Sequence, residues 1–117
     1  MLRQMLRSKI TGLTVTGKEL YYEGSITLDE DLLEAAEILP GEKVEVLNLN
    51  NGARLETYAI QGAKGAGEVV LNGPAARLGE AGDAVFVLCY GLVDASQALN
   101  VTPRRVKTDK KNRPLTP

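Results

Sequence analysis

Short runs of alternating apolar and polar residues dominate the chain. Over residues 9–16, Ile10, Leu13 and Val15 stand among small and polar residues ahead of Gly17-Lys18, which predicts a strand closed by a turn. Residues 43–49 set Val44, Val46 and Asn48 to one side. Asn50-Asn51-Gly52 then turns the chain into a second strand over 53–60, the clearest hairpin in the sequence. Residues 68–71 and 84–90 read as further short strands, with glycines 62, 65, 67, 73, 79 and 82 punctuating the connections. One segment carries a helical period instead. Over 27–39, Thr27 and Glu30 form a capping box, the first turn is acidic, and Leu28, Leu32, Ala35, Ala36 and Leu39 share a face that Pro40-Gly41 ends.

Laid on itself, the chain shows an echo. Gly41-Glu42-Lys43-Val44-Glu45-Val46-Leu47 matches Gly82-Asp83-Ala84-Val85-Phe86-Val87-Leu88 at an offset of 41 residues. Two copies are too few for a solenoid. Short strands, one helix and paired halves favour a mainly β fold, a small closed barrel whose closure removes exposed edges.

Composition narrows the chemistry. The 117 residues suit one domain over 1–117, with no histidine, no tryptophan and one cysteine. Without imidazole there is no Ser-His or Cys-His nucleophile pair, and a single thiol does not complete a zinc shell, so no metal site is expected. Cys89 stands among Val87, Leu88 and Tyr90 and reads as core, consistent with a reducing cytoplasm. No apolar run is long enough for a signal sequence or a membrane span, so no membrane association is expected. The formal net charge of -1 hides an asymmetry. Residues 102–117 hold six cations against Asp109, leaving 8 basic and 14 acidic residues over 1–101. This basic tail reads as a solvated segment, or as one lying on the acidic body; lacking aromatics, it makes a poor nucleic-acid arm.

Chemistry gathers at Tyr21-Tyr22-Glu23-Gly24-Ser25, just ahead of the helix cap, where Ser25 is one of only three serines. A plain turn accounts for these residues if Gly24 takes a left-handed or strained angle and Ser25 bonds locally. Arg3, Met5, Leu6 and Lys9, then Tyr22-Glu23-Gly24-Ser25, Arg54, Thr57-Tyr58-Ala59-Ile60 and Asn72-Gly73 together resemble the pyruvoyl-dependent aspartate 1-decarboxylase family, in spacing as well as identity, from residue 3 to about Asp83. The resemblance implies a six-stranded double-psi β-barrel with one or two short helices. It also implies a homotetramer with active sites between subunits, and a proenzyme that cuts itself at Gly24-Ser25 into chains 1–24 and 25–117.

The residues make that cut physically reasonable. The Ser25 hydroxyl is already beside the Gly24 carbonyl, so an N-to-O acyl shift gains from proximity and needs no histidine. β-Elimination then leaves dehydroalanine, which hydrolyses to a pyruvoyl group at position 25. The resemblance places Thr57 and Asn72 near the developing oxyanion. In the mature enzyme it implies decarboxylation of L-aspartate to β-alanine for pantothenate synthesis, through a Schiff base to the pyruvoyl group with no pyridoxal phosphate, and it makes Tyr58 the proton donor. Arg54 suits a substrate carboxylate, the retained β-carboxylate in preference to the leaving one, because clamping the leaving group would stabilise the ground state more. Lys9 adds positive potential or is merely solubilising. Gly73-Pro74-Ala75 resembles the substrate-binding turn, with Pro74 in place of the more usual alanine and therefore without that backbone donor. Many members of the family have a histidine where this chain has Thr11.

Strand parity adds a constraint of its own. On a regular strand, Arg54 and Tyr58 share one face and Thr57 takes the other, so a site using all three needs a bulge or a second subunit. A site shared between subunits is expected. Two rival readings are a swapped-hairpin barrel that binds nucleic acid without catalysis, and a pyruvoyl enzyme acting on another amino acid.

Overall fold

The alternating runs form strands, as the valine pattern predicts. The computed structural model describes residues 1–115. Among them are strands β1 (Leu2–Thr14), β2 (Gly17–Glu19), β3 (Ser25–Asp29), β4 (Lys43–Asn48), β5 (Arg54–Gly62), β6 (Val69–Asn72), β7 (Ala84–Asp94) and β8 (Arg104–Lys107). One α-helix, α1 (Glu30–Ala36), follows β3, and single 3-10 segments follow β6 (Gly73–Arg77) and β7 (Ala95–Asn100). The eight strands hydrogen-bond in the order β2-β6-β3-β5-β4-β7-β1-β8, two more than the six expected.

The hairpin forms as predicted. β4 and β5 pair antiparallel from Lys43↔Tyr58 to Leu47↔Arg54 without a break. Asn48, buried beside Val44 and Val46, closes the turn by accepting from the N–H groups of Asn50 and Asn51. The echo is structural as well. Gly41 and Gly82 open β4 and β7 with left-handed φ of 87° and 95°, and the matching valines 44, 46, 85 and 87 all enter the core. Val46 and Val87 face each other where β4 and β7 pair.

Three expectations need correction. The helix does not run over 27–39 with a Thr27 cap. Thr27 lies in β3, paired with Ile60 on one side and Val70 on the other. Asp29 is the cap, and α1 ends at Ala36, with Glu37 left-handed at φ 56° and Leu39 exposed. Asp29 prevails because its carboxylate takes Asp31 N–H at 2.8 Å and also Gly65 and Gly67 N–H at 3.1 and 2.6 Å, contacts no local rule can see.

The first strand begins at Leu2, well before residue 9, because β7 continues to Asp94 and pairs with it as a two-stranded ribbon. Backbone pairing sustains this stretch, where apolar period is weak. The basic tail is not a solvated segment: it lies on the body. β8 runs parallel to β1 with Val106 buried, and Arg104 reaches α1, bonding the Ala35 carbonyl and pairing with Glu37. Further on, buried Asn112 takes Thr14 N–H and donates to the carbonyls of Thr14 and Gly67. Residues 116 and 117 of that tail lie outside the described residues. Among the described residues no helix is long and apolar enough to cross a membrane.

Candidate active site around Ser25 and Asn72

Ser25 opens β3, between β6 and β5. It faces Asn72 directly in the antiparallel pair with β6. In the parallel pair with β5 its neighbour Ile26 faces Ala59, which sets Ser25 beside Tyr58. Ile26 and Ala59 point into the core, so Ser25 and Tyr58 share the opposite face. Ser25 is nonetheless fully buried.

The buried hydroxyl is held at two points. Ser25 Oγ donates to the Glu23 carbonyl at 3.2 Å and accepts from Asn72 Nδ2 at 3.0 Å. The second hydrogen of that amide goes to Thr27 Oγ1 at 2.9 Å. Thr27 entered the sequence reading only as a helix cap; its two-residue spacing from Ser25 is the signal that places it here, once the segment is read as a strand.

The next turn grips the loop ahead of Ser25. The left-handed φ falls at Gly73 (61°), not at Gly24 as the plain-turn reading required. A Cβ on Gly73 would lie 2.4 Å from the Tyr22 carbonyl oxygen and 2.9 Å from Gly24 N, so only glycine lets the two backbones approach this closely. A Cβ on Gly24 would meet Pro74 Cδ at 3.4 Å, ordinary contact. Pro74 is the second residue of the 3-10 segment, in its first turn, where a missing N–H costs least, and Ala75 is buried in the core.

Tyr58 Oη donates to Glu23 Oε2 at 3.2 Å. Partial burial and the Glu23 carboxylate push the phenol above the usual tyrosine range. Sequence reasoning quotes Glu23 within the Tyr22-Glu23-Gly24-Ser25 motif but gives it no role, since one acid in a loop carries no periodic signal. Thr57 faces Val44 on the core side of β5, and among the described residues its side chain makes no hydrogen bond. The unbroken register upholds the parity argument: Arg54 and Tyr58 share a face that Thr57 does not.

Arg54 stands apart from Ser25. It lies four residues from Tyr58 on β5, about 13 Å along the strand. Its Nη1 pairs with Glu45 Oε1 at 2.6 Å on the wall of a groove of about 260 Å³, lined also by Gln4, Lys43, Glu56, Leu88 and Tyr90. Lys9 is on β1, with its Nζ 4.8 Å from the centre of the Phe86 ring. Two strands, β7 and β4, separate it from Arg54. The structure therefore brings together Ser25, Asn72, Gly24, Gly73, Pro74 and Tyr58, and leaves Arg54 and Lys9 outside that cluster. Cys89 is buried as expected, a free thiol next to Arg7 and remote in role from this face. Among the described residues no three acidic or thiol groups converge as a metal site needs.

Comparison with known proteins gives a consistent answer. The family profile described as aspartate decarboxylase matches residues 1–115. The aspartate 1-decarboxylase of Thermoanaerobacter pseudethanolicus is 48% identical over 115 residues, covering 98% of each chain. That of Pelotomaculum thermopropionicum is 53% identical over 109 residues, covering 93% of this chain and 83% of its own. The Salinibacter ruber enzyme of the same name is 56% identical over 108 residues, 92% of this chain and 74% of its own. With a profile spanning nearly every residue and relatives near half identity over most of their length, this chain belongs to the aspartate decarboxylase family.

Proposed function

We infer that the chain cuts itself between Gly24 and Ser25 and that the product decarboxylates L-aspartate to β-alanine and carbon dioxide, supplying β-alanine for pantothenate. One observation carries this reading beyond family membership: Ser25 is buried with its hydroxyl held between Asn72 Nδ2 and the Glu23 carbonyl, in a chain without histidine.

Each residue has a task. Ser25 Oγ attacks the Gly24 carbonyl carbon, and the peptide nitrogen leaves to give an ester. Asn72 restricts the attacking hydroxyl. Thr57, two positions before Ala59, comes level with Gly24 by the β3–β5 register, which supports a role for its hydroxyl at the developing oxyanion. Loss of the α-proton of residue 25 as its Cβ–Oγ bond breaks then forms dehydroalanine and frees 1–24 with a carboxylate; the dehydroalanine tautomerises to an imine, and water hydrolyses it to the pyruvoyl carbonyl and ammonia. The close fit of Gly73 against Tyr22 and Gly24 supports a loop shaped for this chemistry.

A pyruvoyl group at position 25 supplies an electrophilic carbonyl for the substrate amine and an electron sink as carbon dioxide departs. Tyr58, beside position 25, gives the α-carbon its proton, and the phenol oxygen keeps the electron pair until solvent reprotonates it. Arg54 clamps the retained β-carboxylate, displacing Glu45 as its partner, and Lys9 adds positive potential. Gly73, Pro74 and Ala75 border the substrate.

Arg54 lies about 13 Å along β5 from Tyr58 and pairs with Glu45 of its own chain, an arrangement that supports a site completed by the Arg54 of a second copy, as in a homotetramer with shared sites. Closure as a double-psi barrel is supported by the run beyond β1: Thr16 N–H bonds the Val69 carbonyl at 2.8 Å, so the chain leaving β1, next to last on one side of the order, returns to β6, next to last on the other. The buried free thiol of Cys89 suits a cytoplasmic enzyme.

Mass spectrometry tests the reading. The purified chain should yield a fragment ending at Gly24 and a larger one beginning with pyruvoyl, and should form β-alanine from aspartate, while Ser25→Ala stays whole and inert. A whole, inactive wild-type chain overturns it.

A further inference from the structure

The phenol of Tyr58 stands at the edge of the site, where an unheld hydroxyl would sample many directions. Four charged or titratable groups face it. Lys43 lies opposite on β4 but is taken by Glu56, the next residue along that face of β5, at 2.9 Å. Tyr22 comes from the preceding loop, and so does Glu23, whose carboxylate accepts the phenol hydrogen at 3.2 Å. Among the described residues Glu23 makes no ion pair, so its carboxylate has no competing cation.

Glu23 reaches both reactive groups. Its backbone carbonyl accepts from Ser25 Oγ, and its side chain holds Tyr58. Cleavage after Gly24 would leave Glu23 on the 1–24 fragment. That fragment stays attached, because β1 is paired with β7 and β8, and β2 with β6. We propose that Glu23 is the positioning residue for the Tyr58 hydroxyl, which makes the small fragment a working part of the mature site instead of a spent leader. This rests on the reading of Tyr58 as proton donor.

Geometry gives the carboxylate two effects. It fixes the direction of the O–H bond, and its charge opposes phenolate formation, moving ionisation of Tyr58 to higher pH. Loss of the first lowers turnover. Loss of the second lowers the pH at which Tyr58 ionises.

Carbon-13 tyrosine NMR on the purified protein, with the Tyr58 signal assigned by its absence in Tyr58→Phe, reads the ionisation directly. Turnover is measured across pH and normalised to the cleaved fraction. Glu23→Ala should move the Tyr58 titration to lower pH, carry the alkaline limb of kcat with it, and cut kcat about tenfold with KM nearly unchanged. Glu23→Gln keeps an acceptor oxygen, so it should restore most of kcat while its Tyr58 still titrates early. A Tyr58 signal that titrates as in wild type in both variants overturns the proposal, as does a joint change in kcat and KM without any movement of that signal. Tyr58→Phe separates the two readings. Full turnover in Tyr58→Phe sinks the proton-donor reading and with it the Glu23 role that rests on it, whereas an inert Tyr58→Phe beside unaltered Glu23 variants sinks only the role of Glu23.

Discussion

The surroundings of Ser25 and the groove around Arg54 belong to one sheet, yet they differ in how complete they are. At Ser25 the polar groups hold one another: the hydroxyl has a donor and an acceptor, the Asn72 amide spends both hydrogens, and a glycine lets the loop backbone approach closely. At Arg54 the guanidinium is half exposed and rests on a carboxylate of its own chain, in an open groove. Buried, satisfied polar networks are rigid. An exposed ion pair contributes little, about 1 kcal/mol or less, and yields readily to a better partner. The contrast follows from what each region has to do. An intramolecular attack needs one fixed geometry within one chain, whereas substrate capture needs a cation that lets go of Glu45 and meets a carboxylate brought to it.

If that contrast is right, the two regions fail in different assays. The largest effect should come from Asn72→Ala, which frees the Ser25 hydroxyl and leaves Thr27 without its donor. We expect self-cleavage slowed by about a hundred- to a thousandfold, followed as loss of full-length chain over time by mass spectrometry. Arg54→Ala should come next. Cleavage should proceed at the normal rate, while kcat/KM for aspartate falls about a hundredfold, in line with a lost charge-assisted contact of roughly 2–3 kcal/mol. Should Arg54→Ala also block cleavage, the two regions are not separate.

How much of this was visible beforehand differs between the regions too. The β4–β5 hairpin and its valine core are local events, announced by alternation and by Asn-Asn-Gly. The placement of Arg54 and Tyr58 on one face of β5, with Thr57 on the other, also follows from parity alone. Ser25 and Asn72 are 47 residues apart, and no period links them; only the family resemblance put them in one site. Long-range bonds explain the misreadings. Thr27 and Asp29 both suit a helix cap, and the choice is made by Gly65 and Gly67 reaching Asp29 from another loop. In the basic tail, composition concealed Val106 and Asn112, whose burial depends on β1.

Asp29 offers a smaller test, because it anchors the far end of the strand that carries Ser25. Burial pushes its carboxyl upward, but the N–H groups of Gly67, Asp31 and Gly65, with Lys64 nearby, hold it below the usual aspartate value. A lowered folded value means the stabilisation is present above the unfolded pKa and is lost as pH falls through the folded one. Asp29→Asn should therefore cost about 1–2 kcal/mol near neutral pH, and its deficit should shrink in acid. Urea unfolding at several pH values measures this. A deficit that stays constant into acid would mean that the charge of Asp29 is not what matters.

The smallest expected effect concerns Gly24 itself, and it asks whether the glycine is needed for shape or for access. Its φ is not left-handed, so an alanine there is not strained by the backbone. A Cβ would meet the Pro74 ring at 3.4 Å, a contact that needs little or no movement at rest. As the Gly24 carbonyl becomes tetrahedral, however, its substituents swing outward and the ring stands in the way. Gly24→Ala should then slow cleavage only a few-fold, within the cost of mild overpacking. Pro74→Ala, which removes the ring, should restore the rate in the double variant. If the double variant is as slow as Gly24→Ala alone, crowding by Pro74 is not the cause, and the glycine serves the mobility of the scissile bond.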